Sequence, residues 1–249
     1  MTTALIDGDV LIFRAAAQAE RVFDWGEDLW TIAADLNEAK QHLDGMVREI
    51  QDSLRAVDVV MAVSDRRNFR KSIDPAYKSN RRERKPLVFY ALRDWAVSER
   101  GAVRMPSLEG DDVLGIEATS GYLADPVVVT IDKDLKGIPG HHYNPDKPER
   151  GVYYVSEAEA FQWHLIQTMA GDAADGYSGI PGIGPVKALR RLEKDGCSWQ
   201  TVVSAYADAG LSEEEAMRNA RLAKILTIDE WDSEKREVKL WEPKGAVCK

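Results

Sequence analysis

At 249 residues, with 44% hydrophobic content and a formal net charge of -9, the chain can bury a core without staples, as one large domain or two small ones. Its only cysteines, Cys197 and Cys248, form no metal-type spacing, so neither a zinc site nor a disulfide framework is expected and both read as plain thiols. No apolar run approaches the roughly 18 residues of a membrane span, and "MTTALIDGDVLIF" lacks a basic segment ahead of its apolar part, so the expectation is a soluble cytoplasmic protein with no membrane role; it is taken separately to be a monomer.

The chain opens on "TALI", a short strand-like run whose last residue leads to Asp7; Asp9 is read as a residue that shapes the "DGDV" turn. "LNEAKQHLDGMVREIQDSLRAV" places Leu36, Ala39, Leu43, Met46, Val47, Ile50 and Leu54 at helical spacing and reads as a crossover helix. "DVVMAV" is a second strand, leading through Ser64 to Asp65. A cationic stretch follows, in which Arg66, Arg67, Arg70, Lys71, Lys78, Arg81, Arg82, Arg84 and Lys85 face only Asp74 and Glu83. "GDDVLGIEATSGYL" reads as a helix with Asp111 and Asp112 in its first turn, where the helix dipole favours negative charge. "PVVVTI" is a third strand, leading to Asp132 and Asp134, and "GHHYNPDKPER" reads as a polar loop. Capping boxes at Ser156 with Glu159 and at Ser212 with Glu215 start two further helices.

Apolar, β-branched runs separated by helices predict a buried, mainly parallel sheet in an α/β core. The division expected is a core over 1–151, carrying a basic arch segment at about 66–100, and a helical region with the tail over 152–249, the two able to form one compact unit.

Ligands of open parallel sheets sit beyond the carboxyl ends of the strands. Asp7, Asp65, Asp132 and Asp134 fall at such strand ends, Glu109, Asp111 and Asp112 at a helix start, and Asp172 and Asp175 at a helix end. Asp172 and Asp175, at i and i+3, are expected on one face of a helix end. Any one of them alone is as well explained by a turn or a cap. Together, so many like charges need a cation, and oxygen ligands suit two Mg²⁺ or Mn²⁺ ions. Two ions roughly 3.5–4 Å apart can activate a water and clamp an in-line phosphoryl displacement. No histidine is needed, and His42, His141, His142 and His164 are read as packing or surface residues.

"GYSGIPGIGPVKALRRLE" follows "GDAAD" directly. Its glycines let backbone N–H groups approach a phosphate, Gly182, Ile183 and Gly184 form the hairpin of a helix-hairpin-helix, and Lys187, Arg190 and Arg191 add charge. Such contacts hold a duplex without reading its sequence. The basic stretch mixes charge with Phe69 and Tyr77, a composition suited to a single strand whose bases stack and whose phosphates pair; a solvated basic loop is the other reading.

In order, "LIDGD", "SD...FR...YKSNR", "EGDD", "TIDKDL" and "GDAADGYSGIPGIGPVKA" resemble the flap endonuclease and 5′→3′ exonuclease family, most closely its tailed-phage branch, over most of residues 3–195. The resemblance implies a PIN-like core with a helix-hairpin-helix region. It implies that Asp7, Asp65, Glu109, Asp111 and Asp112 hold a first metal, and Asp132, Asp134, Asp172 and Asp175 a second. Asp7, Asp111 and Asp132 then count as catalytic, with Lys78 and Arg81 as arch residues at the scissile phosphate. Arg70, Lys71, Tyr77, Lys78, Arg81, Arg82, Gly182, Ile183, Gly184, Lys187 and Arg190 would contact DNA, with a K⁺ at the hairpin carbonyls. Gly110 stands where many relatives carry Ala, a change read as harmless. The activity implied is 5′→3′ exonuclease and 5′-flap cleavage of double-stranded DNA, with RNase H-like action on RNA–DNA hybrids, in the host cytoplasm. A PIN-type ribonuclease and a non-catalytic DNA-binding factor are the rival readings.

Overall fold

The structure is a computed structural model describing residues 1–81 and 84–243. In chain order the main elements are β1 (Thr3–Asp7), α1 (Gly8–Gln18), β2 (Glu20–Asp24), β3 (Trp30–Ala34), α2 (Leu36–Leu54), β4 (Asp58–Ala62) and α3 (Arg70–Ile73). They continue with α4 (Phe89–Glu99), α5 (Gly110–Thr119), β5 (Pro126–Val129), β6 (Gly140–Tyr143), β7 (Tyr153–Val155), α6 (Glu157–Ala170), β8 (Gly171–Asp172) and β9 (Tyr177–Ser178). The helices α7 (Pro185–Asp195), α8 (Trp199–Asp208) and α9 (Glu213–Ala223) follow.

The chain forms two compact units: Met1–Arg66, Glu83–Ile131 and His141–Tyr153 in the first, and Arg67–Arg82, Asp132–Gly140 and Tyr154–Lys249 in the second. A single cut near residue 151 does not reproduce this division. The expected arch of 66–100 is also split: 67–82 belongs to the helical unit, while α4 is a core helix that buries Phe89, Leu92 and Ala96.

The first unit is built on strands in the order β4-β1-β5-β6, with β1 parallel to both β4 and β5, and β5 parallel to β6. Every residue of β1 is buried, and its central Ala4, Leu5 and Ile6 are the apolar run a parallel sheet requires. Ala4, Ile6, Met61, Val127 and Val129 form one cluster with α1, α2 and α4. By alternation Leu5 and Val128 point to the other face; they are buried too, and α5 packs on β1, β4 and β5. Parallel order brings the strand ends Asp7 and Ala62 into register. The "GHHY" stretch, read as polar loop, is β6, because His142 and Tyr143 are buried in the sheet.

The β2–β3 segment was not expected. β2 and β3 form an antiparallel hairpin whose large apolar residues are exposed: Val22, Phe23, Trp25, Leu29, Trp30 and Ile32. Phe23 and Trp25 stack on each other, and the Trp25 indole N–H donates to Thr31 Oγ1 at 2.8 Å.

In the second unit, α6, α7 and α8 close over Leu165, Met169, Ile180, Ala188, Leu192, Val202 and Tyr206. The two predicted capping boxes are present, at Ser156 with Glu159 and at Ser212 with Glu215. Cys197 is buried in this cluster, and Cys248 lies outside the described residues.

His164, on α6, is 4% exposed and donates from Nε2 to the Ala220 carbonyl at 2.8 Å, with the Trp241 ring against it. Burial, aided by Lys224, pushes its imidazole down to about 3. The unfolded chain takes up this proton near pH 6.5 and the folded chain refuses it, so stability falls as pH drops below 6.5, by about 1.4 kcal/mol per pH unit. The expected result is that His164→Gln, which keeps an N–H donor, flattens the decline in melting temperature between pH 6 and pH 4. A decline as steep as in the parent would clear His164 of this role.

Candidate functional site

In the first unit three segments gather carboxylates at the strand ends. Asp7 caps α1: its Oδ1 accepts the Val10 N–H at 3.3 Å and its Oδ2 the Thr130 hydroxyl at 3.2 Å, leaving it 5% exposed. Asp65 follows β4; its N–H donates to the Leu108 carbonyl at 2.8 Å and its Oδ2 accepts from Ser107 N–H at 2.9 Å. These bonds tie Asp65 to the loop that delivers Glu109, the N-cap residue of α5. Asp111 is half-buried in the first turn of α5. Asp112, expected as a ligand, is fully buried with Oδ2 accepting the Glu109 N–H at 3.2 Å, a capping bond.

The second unit carries the other group. Asp132 caps a 3₁₀ turn over Lys133–Gly137 through Oδ1 to the Asp134 N–H at 2.9 Å. Asp172 and Asp175 are not on a helix face: α6 stops at Ala170, and both lie in the β8–β9 hairpin, where Asp172 Oδ1 accepts from Ala174 and Asp175 N–H groups. Burial, and then the charges of Asp132, Asp172 and Asp175, push the Asp134 carboxyl up to about 6.

Asp175 is the hub of this group. Arg81 reaches its Oδ1 at 2.5 Å, Lys78 Nζ stands 3.6 Å from Oδ2, and the Tyr77 hydroxyl donates to Oδ2 at 2.8 Å. Lys78 holds φ at +54°, a left-handed conformation that a side chain rarely adopts. It is retained because its N–H donates to the Asp175 carbonyl at 2.7 Å, while Asn80 donates to the Ala173 carbonyl at 2.7 Å. Strained backbone held by its surroundings clusters at working sites.

Two residues expected to contact DNA are buried. Tyr77 is 2% exposed and cannot stack on a base. Arg70 is 3% exposed, with its guanidinium donating to the Leu222 and Lys224 carbonyls at 2.9 and 2.5 Å; it ties α3 to the end of α9. Composition announces charge, not whether the chain folds over it. Lys71 is exposed, and Arg82 lies outside the described residues.

At the hairpin before α7, Ile183 N–H donates to the Ile180 carbonyl at 3.0 Å and Gly182 takes φ +74°. Ile183 faces the core, whereas Gly182, Gly184, Lys187 and Arg190 are exposed. Gly184 supplies no side-chain cap and Pro185 no N–H, so the first turn of this 11-residue helix leaves backbone donors open to an anion. Arg191 is engaged by Asp208 at 2.7 Å. The Gly182 carbonyl accepts from Lys187 Nζ at 2.8 Å, so an ammonium already stands where a K⁺ would need a carbonyl.

Among the described residues no three His, Cys, Asp or Glu side chains stand as a ready metal-holding set. The donor chemistry nonetheless fits hard cations, because all the groups are oxygens and burial, with the charges of Asp132, Asp172 and Asp175, raises the Asp134 carboxyl.

No family model matches the chain. The chain is 31% identical to an exodeoxyribonuclease of Enterobacteria phage T3, covering 97% of this chain and 93% of that protein, and 31% identical to an exonuclease of Escherichia phage T7, covering 96% and 93%. Among solved structures it resembles the 5′-exonuclease of phage T5, with zinc ions bound, at TM-score 0.68 and 17% identity over 90% of this chain and 89% of that one. The chain belongs to the 5′→3′ exonuclease family, in its phage branch, and it is a nuclease. Its core has the PIN-like fold of those structures. No helix among the described residues is long and apolar enough to cross a membrane.

Proposed function

We propose that the chain hydrolyses phosphodiester bonds of double-stranded DNA from a 5′ end, and at 5′ flaps, with divalent ions, leaving 5′-phosphorylated products; RNA–DNA hybrids are the secondary substrate. The observation that carries this is the second group itself: the carboxylates of Asp132, Asp172 and Asp175 act on Asp134, and Lys78 and Arg81 pair with Asp175. The T3 and T7 relatives, named exodeoxyribonuclease and exonuclease, support the reaction, and the T5 flap endonuclease solved with DNA and metal ions supports the substrate and the cation.

Asp7, Asp65, Glu109 and Asp111 would hold one Mg²⁺ or Mn²⁺ ion, with Asp112 acting mainly through its cap, and Asp132, Asp134, Asp172 and Asp175 another. When bound, the ions supply water activation and neutralise the leaving oxygen. Arg81 and Lys78 are the cations for the scissile phosphate, and Asp175 holds both in place beforehand. Lys187, Arg190 and the open N–H groups of α7 grip the duplex backbone. Lys187 supplies the positive charge at Gly182, so the grip works without K⁺. The protein acts as a monomer in the cytoplasm of an infected host.

Labelled duplex and 5′-flap substrates, incubated with Mg²⁺ or with EDTA, test the reading. Short 5′-phosphorylated products only with Mg²⁺ are expected; equal cleavage in EDTA would overturn the metal roles. For the grip, Lys187→Ala with Arg190→Ala should weaken duplex binding and reduce the slope of log affinity against log salt by about one to two units. An unchanged slope would remove α7 from the interface.

A further inference from the structure

Asp9 was read from the sequence as a residue that shapes a turn. The structure gives it a longer reach. Its Oδ2 accepts the Ser64 N–H at 2.9 Å, and Ser64 Oγ in turn accepts the Gly110 N–H at 2.9 Å. One carboxylate therefore links the start of α1, the end of β4 and the first residue of α5, the segments that carry Asp7, Asp65 and the acidic trio Glu109, Asp111 and Asp112.

Gly110 is part of the same arrangement. A Cβ there would stand 3.2 Å from Asp9 Oδ2, tighter than ordinary contact, and at ordinary contact, 3.5 Å, from the Ala62 carbonyl. Glycine at this position makes room for Asp9, which gives the departure from Ala a physical reason. The other oxygen, Asp9 Oδ1, is buried with no hydrogen-bond partner. A carboxylate oxygen out of water without a donor is costly, and a chain that keeps one beside other carboxylates has a use for its charge.

Resting on the proposed metal roles, we infer that Asp9 is a positioning residue of the first carboxylate group: it fixes where Asp65 and the α5 carboxylates stand, and its charge strengthens their hold on a divalent cation. Partners behind metal ligands commonly act in this way. Asp9→Asn isolates the charge, since the side chain keeps its size and an oxygen for the Ser64 N–H.

The test is Mn²⁺ binding to the full chain without DNA, by calorimetry, beside melting in EDTA. The parent should show two classes of Mn²⁺ site. Asp9→Asn should weaken one class by about 10–100-fold, leave the other in place, and melt in EDTA close to the parent. Gly110→Ala should weaken the same class in the parent and add little further loss in the Asp9→Asn background, because the two changes act on one carboxylate. Mn²⁺ affinity equal to the parent in Asp9→Asn would overturn the inference while leaving the metal roles intact. A parent that binds no Mn²⁺ would overturn both.

Discussion

Asp132→Asn removes cleavage, by at least about three orders of magnitude in single-turnover rate, and leaves duplex affinity largely intact. Asparagine keeps the Oδ1 acceptor that Asp132 offers to the Asp134 N–H, so the 3₁₀ turn over Lys133–Gly137 stays capped and the protein keeps its fold. What is lost is one negative charge from a group of four. Asp175 is already committed to Arg81, Lys78 and Tyr77, so that loss falls on the hold over a cation. Rapid-quench cleavage and fluorescence anisotropy on the same labelled duplex separate the two effects. Cleavage within ten-fold of the parent would take Asp132 out of the site.

Gly171→Ala has the largest expected effect on stability. Gly171 ends α6 at φ 69° and ψ 178°, a region essentially closed to residues with a Cβ. A Cβ would also fall 2.1 Å from the Gly179 nitrogen, within the β8–β9 hairpin where Gly171 pairs with Ser178. Backbone atoms on both sides must part. The expected cost is at least about 3 kcal/mol, a fall in melting temperature of roughly 10 °C for a chain of this size. Asp172 is the next residue, so activity should drop even where the variant remains folded. Gly179→Ala meets Met169 and Ala170 backbone at 2.3 and 2.2 Å and should behave alike. Gly45→Ala is the control: it lies inside α2 with nothing within 4 Å, and should be neutral or stabilising. A Gly171→Ala melting curve matching that of Gly45→Ala would refute the close approach.

The parallel core was legible because β1, β4 and β5 are apolar runs and each leads to a carboxylate. Capping boxes at Ser156 and Ser212 were legible because their spacing is local. The β2–β3 hairpin was not, since burial patterns reveal strands through one apolar face, and here Phe23 and Trp25 on one side and Val22, Trp30 and Ile32 on the other are all exposed. Its only signal was alternation around Gly26. The roles of Tyr77 and Arg70 depended on long-range partners, Asp175 and the Leu222 and Lys224 carbonyls, which no local pattern announces. Asp9 was visible as a residue but not as a link, because its bond to Ser64 spans 55 positions.

The chain passes between its two units at 66/67, 82/83, 131/132, 140/141 and 153/154. A fragment ending near residue 151 would carry 67–82 and 132–140 away from the helices they pack with, and the complementary piece would lack Lys78, Asp132 and Asp134. Neither half should be obtainable as a well-folded product by truncation. During synthesis, the sheet unit waits for residue 153 before its last segment emerges, while two segments of the helical unit emerge long before α6 to α9. Folding that depends on such distant segments is slow, and limited proteolysis of the partly made chain should find 67–82 cleavable until the C-terminal helices are complete.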